Sequence, residues 1–298
     1  MKNARGFGEP QGPPLRVLGQ TARSSVVALC ARQELLLSAR SRWTQIFAAV
    51  FGALSIAVAA SGYILSGGRG FEDFARTATS LASLVILLVP ITSLVIGVLN
   101  LAPDRGATEL LFSQPVPRRA ILLGRLLGLF AALAAAQMIG LGAAGLVIFW
   151  RSGGSGISSY AFLLGASLAL TAVFLGIAAL LASGGGVRRS RALALALIVW
   201  FGTVVLFDVV VLAGATLLPS GQASRLLVTA VLVNPADAVR TATLLGIHGT
   251  AAFGAASLAL LRYTRGPVGA ALLLGASMLF WILAPVALAI RRLDRADF

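Results

Sequence analysis

Six stretches of about 20 predominantly apolar residues, the length a helix needs to cross a bilayer, follow one another between Trp43 and Ile290 without sharing a residue. A water-soluble fold has no interior large enough to hide them all. Composition agrees, because 58% of the 298 residues are hydrophobic and 11% are charged, against about 25% charged in soluble domains. The chain is therefore expected to be an all-α polytopic membrane protein with one continuous membrane domain over residues 43–298. Its spans are placed at about 43–65, 79–101, 119–150, 160–181, 192–218 and 267–290.

The segments that flank these spans set the orientation. Residues 1–20 are polar with Gly and Pro, lack the apolar centre of a cleavable signal, and read as a disordered cytoplasmic tail. Residues 21–42 are helical in composition, and Val26, Leu29, Cys30, Leu36 and Leu37 share one arc of the helical wheel, with Gln33 and Arg40 intruding. An interfacial helix on the inner leaflet fits that pattern. Of the 24 basic residues, 17 fall on one side if the N-terminus is cytoplasmic, and Lys and Arg accumulate on the inner side of membrane proteins. Both termini are thus expected in the cytoplasm of a bacterium, across its inner membrane. Excess positive charge on these flanks orients spans and does not call for a nucleic-acid partner.

Ala242 to Leu261 fits less well, being apolar enough for a seventh span yet interrupted by Gly246, His248, Gly249 and Gly254. An outer re-entrant or surface segment is the preferred reading, with a seventh span as the alternative. Irregular backbone at membrane depth is tolerated only under a cover of protein or water, so this stretch should pack on the spans.

The most informative short segment is NLAPDRGATELLFSQPVPRRAILLGR, residues 100–125. Asp104 can cap a helix start, Gly106 to Ser113 reads as a short helix, and Pro115 and Pro117 end it, Pro117 suiting the first turn of the next span. Arg118 and Arg119 pin that span to the inner surface. A short helix so bounded is something an energy-transducing partner could push, whereas the plain alternative is a basic loop. In Asp104, Gly106, Leu110, Leu111, Pro115, Arg118, Leu123, Gly124 and Arg125 the segment resembles the type-two ABC transporter permease family, departing from it at Ala107-Thr108. Residues 78–90, FDVVVL and NPADAVR further resemble the membrane subunits of transporters that mature the copper site of nitrous-oxide reductase.

The broad resemblance implies a non-catalytic half-transporter of six spans that pairs with a second copy and with two ATPase subunits. Asp104, Arg105, Gly106, Glu109, Leu110, Leu111, Phe112 and Pro115 would form its ATPase contact. The narrower resemblance implies an outer copper-delivery partner and an outer docking role for Asn234, Pro235 and Asp237. The residues agree on energy supply, because no G-x-x-x-x-G-K-[ST] phosphate loop is present and SGGGVRR, residues 183–189, lacks its lysine and hydroxyl. ATP and Mg belong to the partner ATPase, and no cofactor is expected in this chain. Soft ligands suited to copper are scattered as Met1, Cys30, Met138, His248 and Met278, with no motif and no metal site among them.

Asp208 is the one acidic residue well inside a predicted span, about 25 Å along the helix from Arg191 and hence in the outer half. Intramembrane carboxylates are functional candidates by default, and the structural alternative pairs it with an outer arginine such as Arg225 or Arg240. Asn234-Pro235 followed by Asp237 reads as a turn and a helix start. Gly124, Gly128, Gly140, Gly142 and Gly145 along span three permit close helix approach and are a candidate dimer seam. A membrane enzyme has no clustered His, Cys or carboxylates to work with. A channel or secondary transporter would normally break its spans at the midplane, where these read as plain.

Topology is open to direct measurement. An alkaline phosphatase reporter fused after Phe298 should be inactive, and one placed within Ser152 to Ser158 active. An active reporter after Phe298 overturns the orientation with both termini inside.

Overall fold

A computed structural model describes residues 15–64, 71–102, 117–152, 156–183, 188–248, 255–264 and 266–295. Eleven α-helices account for nearly all of them: α1 Leu15–Arg40, α2 Arg42–Ile64, α3 Phe71–Leu101, α4 Arg118–Ser152, α5 Ile157–Ala182, α6 Arg189–Phe201, α7 Phe207–Leu217, α8 Ser220–Val233, α9 Pro235–His248, α10 Ala255–Thr264 and α11 Pro267–Arg295. A π turn, Gly202–Leu206, joins α6 to α7. Among the described residues, six helices are long and apolar enough to cross a bilayer: α2, α3, α4, α5, the continuous α6–π–α7, and α11. These are the six expected spans, and among the described residues there is no strand. Below, "inner" denotes the arginine-rich ends of the spans.

Spans two and four, α3 and α5, stand at the centre, each 61% buried over its most apolar window, whereas α6–π–α7 is 11% buried. Both send side chains into one buried core, among them Leu81, Val85 and Leu94 of α3 and Leu170, Phe174 and Ala178 of α5. In lipid this packing gains little from the hydrophobic effect, since acyl chains are as apolar as leucine, and close fit and hydrogen bonds carry specificity instead. Gln137 of α4 shows the second term. Its amide nitrogen donates to the Thr171 hydroxyl at 2.7 Å and its oxygen accepts from the Ser167 hydroxyl at 2.6 Å, all three buried between α4 and α5.

The glycines of α4 supply the close fit, within the chain. A Cβ on Gly124 would meet Cys30 and Val27 of α1, and one on Gly128 the backbone of Ala31 and Leu35. Farther out, Gly140 lies against Gly52 of α2, and Gly145 against the ring of Tyr160 on α5, whose hydroxyl donates to the Leu141 carbonyl. The expected use of this glycine series as a dimer seam is corrected here: four of its five members are already occupied by α1, α2 and α5. Gly142 alone has nothing within 4 Å.

Helix α1 begins at Leu15, inside the stretch that the sequence assigns to the tail. Its predicted apolar arc splits: Leu29, Leu36 and Leu37 are exposed, while the other face sets Cys30, Glu34 and Ser38 against the inner end of α4.

The connection between spans five and six is a re-entrant hairpin. Helix α8 returns from the outer end of α7, and the Asn234 amide donates at 2.7 Å to the carbonyl of Thr203. Thr203 lies midway along span five, about 21 Å from either end at 1.5 Å per residue. On the other side the Leu232 carbonyl accepts from Ser277 at 2.8 Å, near the middle of span six. The elbow Asn234–Pro235 thus reaches the midplane, and α9 climbs back until the Gly246 carbonyl accepts from Ser159 at the outer start of α5. The re-entrant part lies upstream of its expected place, at Ser220–His248, and Ala242 to His248 is only its exit. Neither α9, of 14 residues, nor α10, of 10, reaches spanning length. Span five is also less plain than its sequence suggests, since the π turn interrupts it at that depth.

Packing at Gly128 and Gly142 separates two effects in one helix. Gly128→Ala should lower stability in detergent by about 1–3 kcal/mol, since the added methyl meets backbone that cannot yield, whereas Gly142→Ala should be neutral or stabilising by up to about 1 kcal/mol. Thermal unfolding followed by loss of monodisperse protein reads both, and equal midpoints for the two variants would refute the assigned packing.

Candidate functional site

Besides the Gln137 cluster, two polar constellations interrupt the apolar bundle among the described residues, one at its inner end and one running from the midplane toward the outer end. The inner one is organised by Arg125. On one side its Nε donates to the Glu34 carboxylate of α1 at 3.1 Å, and on the other its guanidinium donates to the carbonyl of Asn100. That carbonyl stands one residue before the end of α3, where helix acceptors have no intrahelical donor. Glu34 is 6% exposed, and among the described residues Arg125 is its ion-pair partner. The Gly124 and Gly128 approach is what brings α1 near enough for the pair to form.

Farther along the same surface, Arg118 donates to the Leu293 carbonyl at 3.3 Å, and Arg119 lies 3.8 Å from Asp294, both at the inner end of span six. The Arg119 pair is solvent-exposed and contributes little. Together these arginines root α4 against α1, α3 and α11. Asp104, Arg105, Gly106, Glu109, Leu110, Leu111, Phe112 and Pro115 lie outside the described residues. Their two roots do not: α3 ends at Leu101, α4 begins at Arg118, and Arg125 bonds both helices together.

The outer constellation is the elbow of the hairpin. Asn234 accepts from the Ala236 amide at 3.1 Å, which caps α9 as the sequence predicts, and Pro235 takes the first helical position. The Asn234 amide nitrogen also donates to Asp237 at 3.1 Å. Its bond to Thr203 uses the π turn, in which the Phe207 amide reaches five residues back to Gly202 and passes over the Thr203 carbonyl. Arg240, one turn along α9, donates to Asp237 at 3.1 Å and forms an ion pair with Asp208 of α7. Of the two arginines named for Asp208, Arg240 is the partner.

Burial corrects the docking role expected of Asn234, Pro235 and Asp237. Asn234 is 2% and Asp237 9% exposed, and both are spent on contacts inside the chain at membrane depth, so these side chains offer no outer surface. The soft-ligand candidates Cys30, Met138, His248 and Met278 fall on four separate helices, and Met1 lies outside the described residues. Sequence reading missed Glu34 and Thr203. Glu34 is one acidic residue in a basic, polar helix, and the Gly202-Thr203 pair in an apolar run carries no local signal of a π turn.

The family described as ABC-2 family transporter protein matches residues 28–298. A curated relative from Pseudomonas aeruginosa, "Probable ABC transporter permease protein NosY", is 34% identical over 240 residues, covering 78% of this chain and 87% of the relative. A relative of the same name from Stutzerimonas stutzeri is 36% identical over 243 residues, covering 76% and 85%.

Asn234 holds three partners at once, and its removal leaves the Thr203 carbonyl and the Ala236 amide unpaired in a dry setting. Asn234→Leu should therefore destabilise the protein by about 1–3 kcal/mol, read as a lowered unfolding midpoint in detergent. A wild-type midpoint would show that water, and not Asn234, satisfies the elbow.

Proposed function

The chain belongs to the ABC-2 family of transporter proteins, as a multi-pass permease component, and on that premise we propose that it couples ATP hydrolysis by a separate ATPase subunit to an event at the outer face. Two copies of the chain and two ATPase subunits make the working unit, in the bacterial inner membrane with both termini cytoplasmic. ATP and Mg are bound by the ATPase. The outer event is export of a substrate or actuation of a periplasmic partner. The resemblance of residues 78–90, FDVVVL and NPADAVR to the membrane subunits of transporters that mature nitrous-oxide reductase favours the second, with a copper-delivery protein as the outer partner.

One observation carries the coupling reading: Arg125 ties the two roots of residues 103–116 to each other and to α1. A push on a loop with free roots would dissipate in the loop. Here it is delivered to α3 and α4, and through the buried Glu34 to α1. Asp104 as cap, Gly106 as the tight start and Pro115 as the stop would bound the pushed helix, with Arg105 and Glu109 as its charges and Leu110, Leu111 and Phe112 as its apolar ridge.

A charged contact truncated in a desolvated interface costs about 2–5 kcal/mol, enough to detach the ATPase. Glu109→Lys and Leu111→Asp should each leave the chain inserted in the membrane while co-purification of the ATPase and stimulated hydrolysis fall. Wild-type values for both would exclude the 103–116 segment as the coupling element and turn attention to α1.

A further inference from the structure

The outer ends of α3, α4 and α5 leave a groove of about 250 Å³ between them. Its floor is α4, where two glycines withhold side chains. A Cβ at Gly142 would meet nothing within 4 Å, while the space beside Gly145 is taken by the Tyr160 ring. Phe74 of α3, 1% exposed, lines the groove from the third helix, its ring packed against Gly156 at the turn into α5. Among the described residues, Tyr160 is the one lining side chain with a polar atom, and its hydroxyl is spent on the Leu141 carbonyl. Water in a cavity needs about two to four polar partners, and these walls do not supply them. Trp150, 91% exposed near the outer end of α4, marks the membrane–water interface, where tryptophans collect. Gly142 lies about 12 Å deeper at 1.5 Å per residue, so the groove runs through the acyl region of the outer leaflet. Leu146 and Phe149 line it and remain exposed, so at that depth its mouth faces lipid.

We propose that this groove is a lipid site: it seats one acyl chain of an outer-leaflet phospholipid, held between α3, α4 and α5 as a fixed filler of the space that Gly142 leaves. Width selects the occupant. Spread over the roughly 10 Å from Gly142 to Phe149, the volume gives a section of about 25 Å², against about 80 Å² for a helix of about 10 Å diameter. A single hydrocarbon chain fits, and a partner's helix does not. Transfer out of bulk lipid gives that chain no hydrophobic gain. It is retained by dispersion contact with three helices, which the walls of an empty groove would forfeit. Nearer the midplane Gln137 joins α4 to α5 by hydrogen bonds; toward the outer surface the lipid chain fills between them. The site stands independently of the coupling role proposed for residues 103–116.

Photocrosslinking of the full chain in vesicles tests this. The vesicles are phosphatidylethanolamine and phosphatidylglycerol, with a trace of phosphatidylglycerol that carries a diazirine midway along one acyl chain, and adducts are mapped by mass spectrometry after irradiation. Adducts on residues 142–149 and 157–164 should be about fivefold denser than on the exposed Leu272 and Leu279 of span six, which sample passing lipid at similar depth. Gly142→Leu fills the groove and should lower its adducts about fivefold while those on span six stay unchanged. Ala161→Leu fills it from the α5 wall and should do the same, which keeps the test open if the first variant fails to fold. Native mass spectrometry from detergent should show one phospholipid kept by the wild type and lost from Gly142→Leu. Adducts in the groove no denser than on span six, or undiminished in the filled variants, overturn the site. So does labelling of Gly142→Cys by a water-soluble maleimide in a chain whose one cysteine is replaced, Cys30→Ser, which would make the groove a watery cavity.

Discussion

Every backbone polar group in the hydrocarbon must find a partner in the protein, and this requirement explains the least regular part of the chain. A hairpin that turns at the midplane exposes the end of one helix and the start of another where no water is available. Asn234 accepts from Ala236 at the start of α9 and donates to Thr203 of span five, while the Leu232 carbonyl at the end of α8 accepts from Ser277 of span six. The second bond is possible because span five widens to a π turn there. The irregularity of one element is thus matched to the irregularity of the other. The hairpin in turn places Arg240 beside Asp208, so that ion pair depends on the elbow below it.

The inner end obeys a different limit. Close to the membrane surface, water can satisfy helix ends, and bonds between elements there serve position. Arg125 is bound by a buried carboxylate and a helix-terminal carbonyl together, through two separate nitrogens of one rigid plane, where a lysine offers a single nitrogen. The glycines at 124 and 128 set the distance over which it acts. Small residues and one arginine therefore join three helices around the roots of residues 103–116, the segment proposed to meet the ATPase.

The spans were legible from length and hydropathy alone, since nothing but a membrane accommodates six such runs. The Asn-Pro-x-Asp turn was legible too, because capping chemistry is local. Its depth was not: Ser220 to Val233 is too short to read as a span, and only its bonds to the middles of spans five and six show how far in it reaches. The reading of Asn234 and Asp237 as an outer surface failed for that reason. Glu34 was invisible because its partner lies 91 residues away in sequence, and no pattern within α1 announces it.

Helix α1 shows why the usual reading of an amphipathic helix inverts at a membrane. In a soluble protein Leu29, Leu36 and Leu37 would turn inward and Glu34 outward. Here the leucines are exposed while Glu34 and Ser38 are buried against α4. With lipid as the solvent on one side, leucine gains little by leaving it, whereas a carboxylate gains an arginine by facing protein. Within this bundle, polar side chains mark where one helix must meet another, and apolar exposure by itself marks nothing.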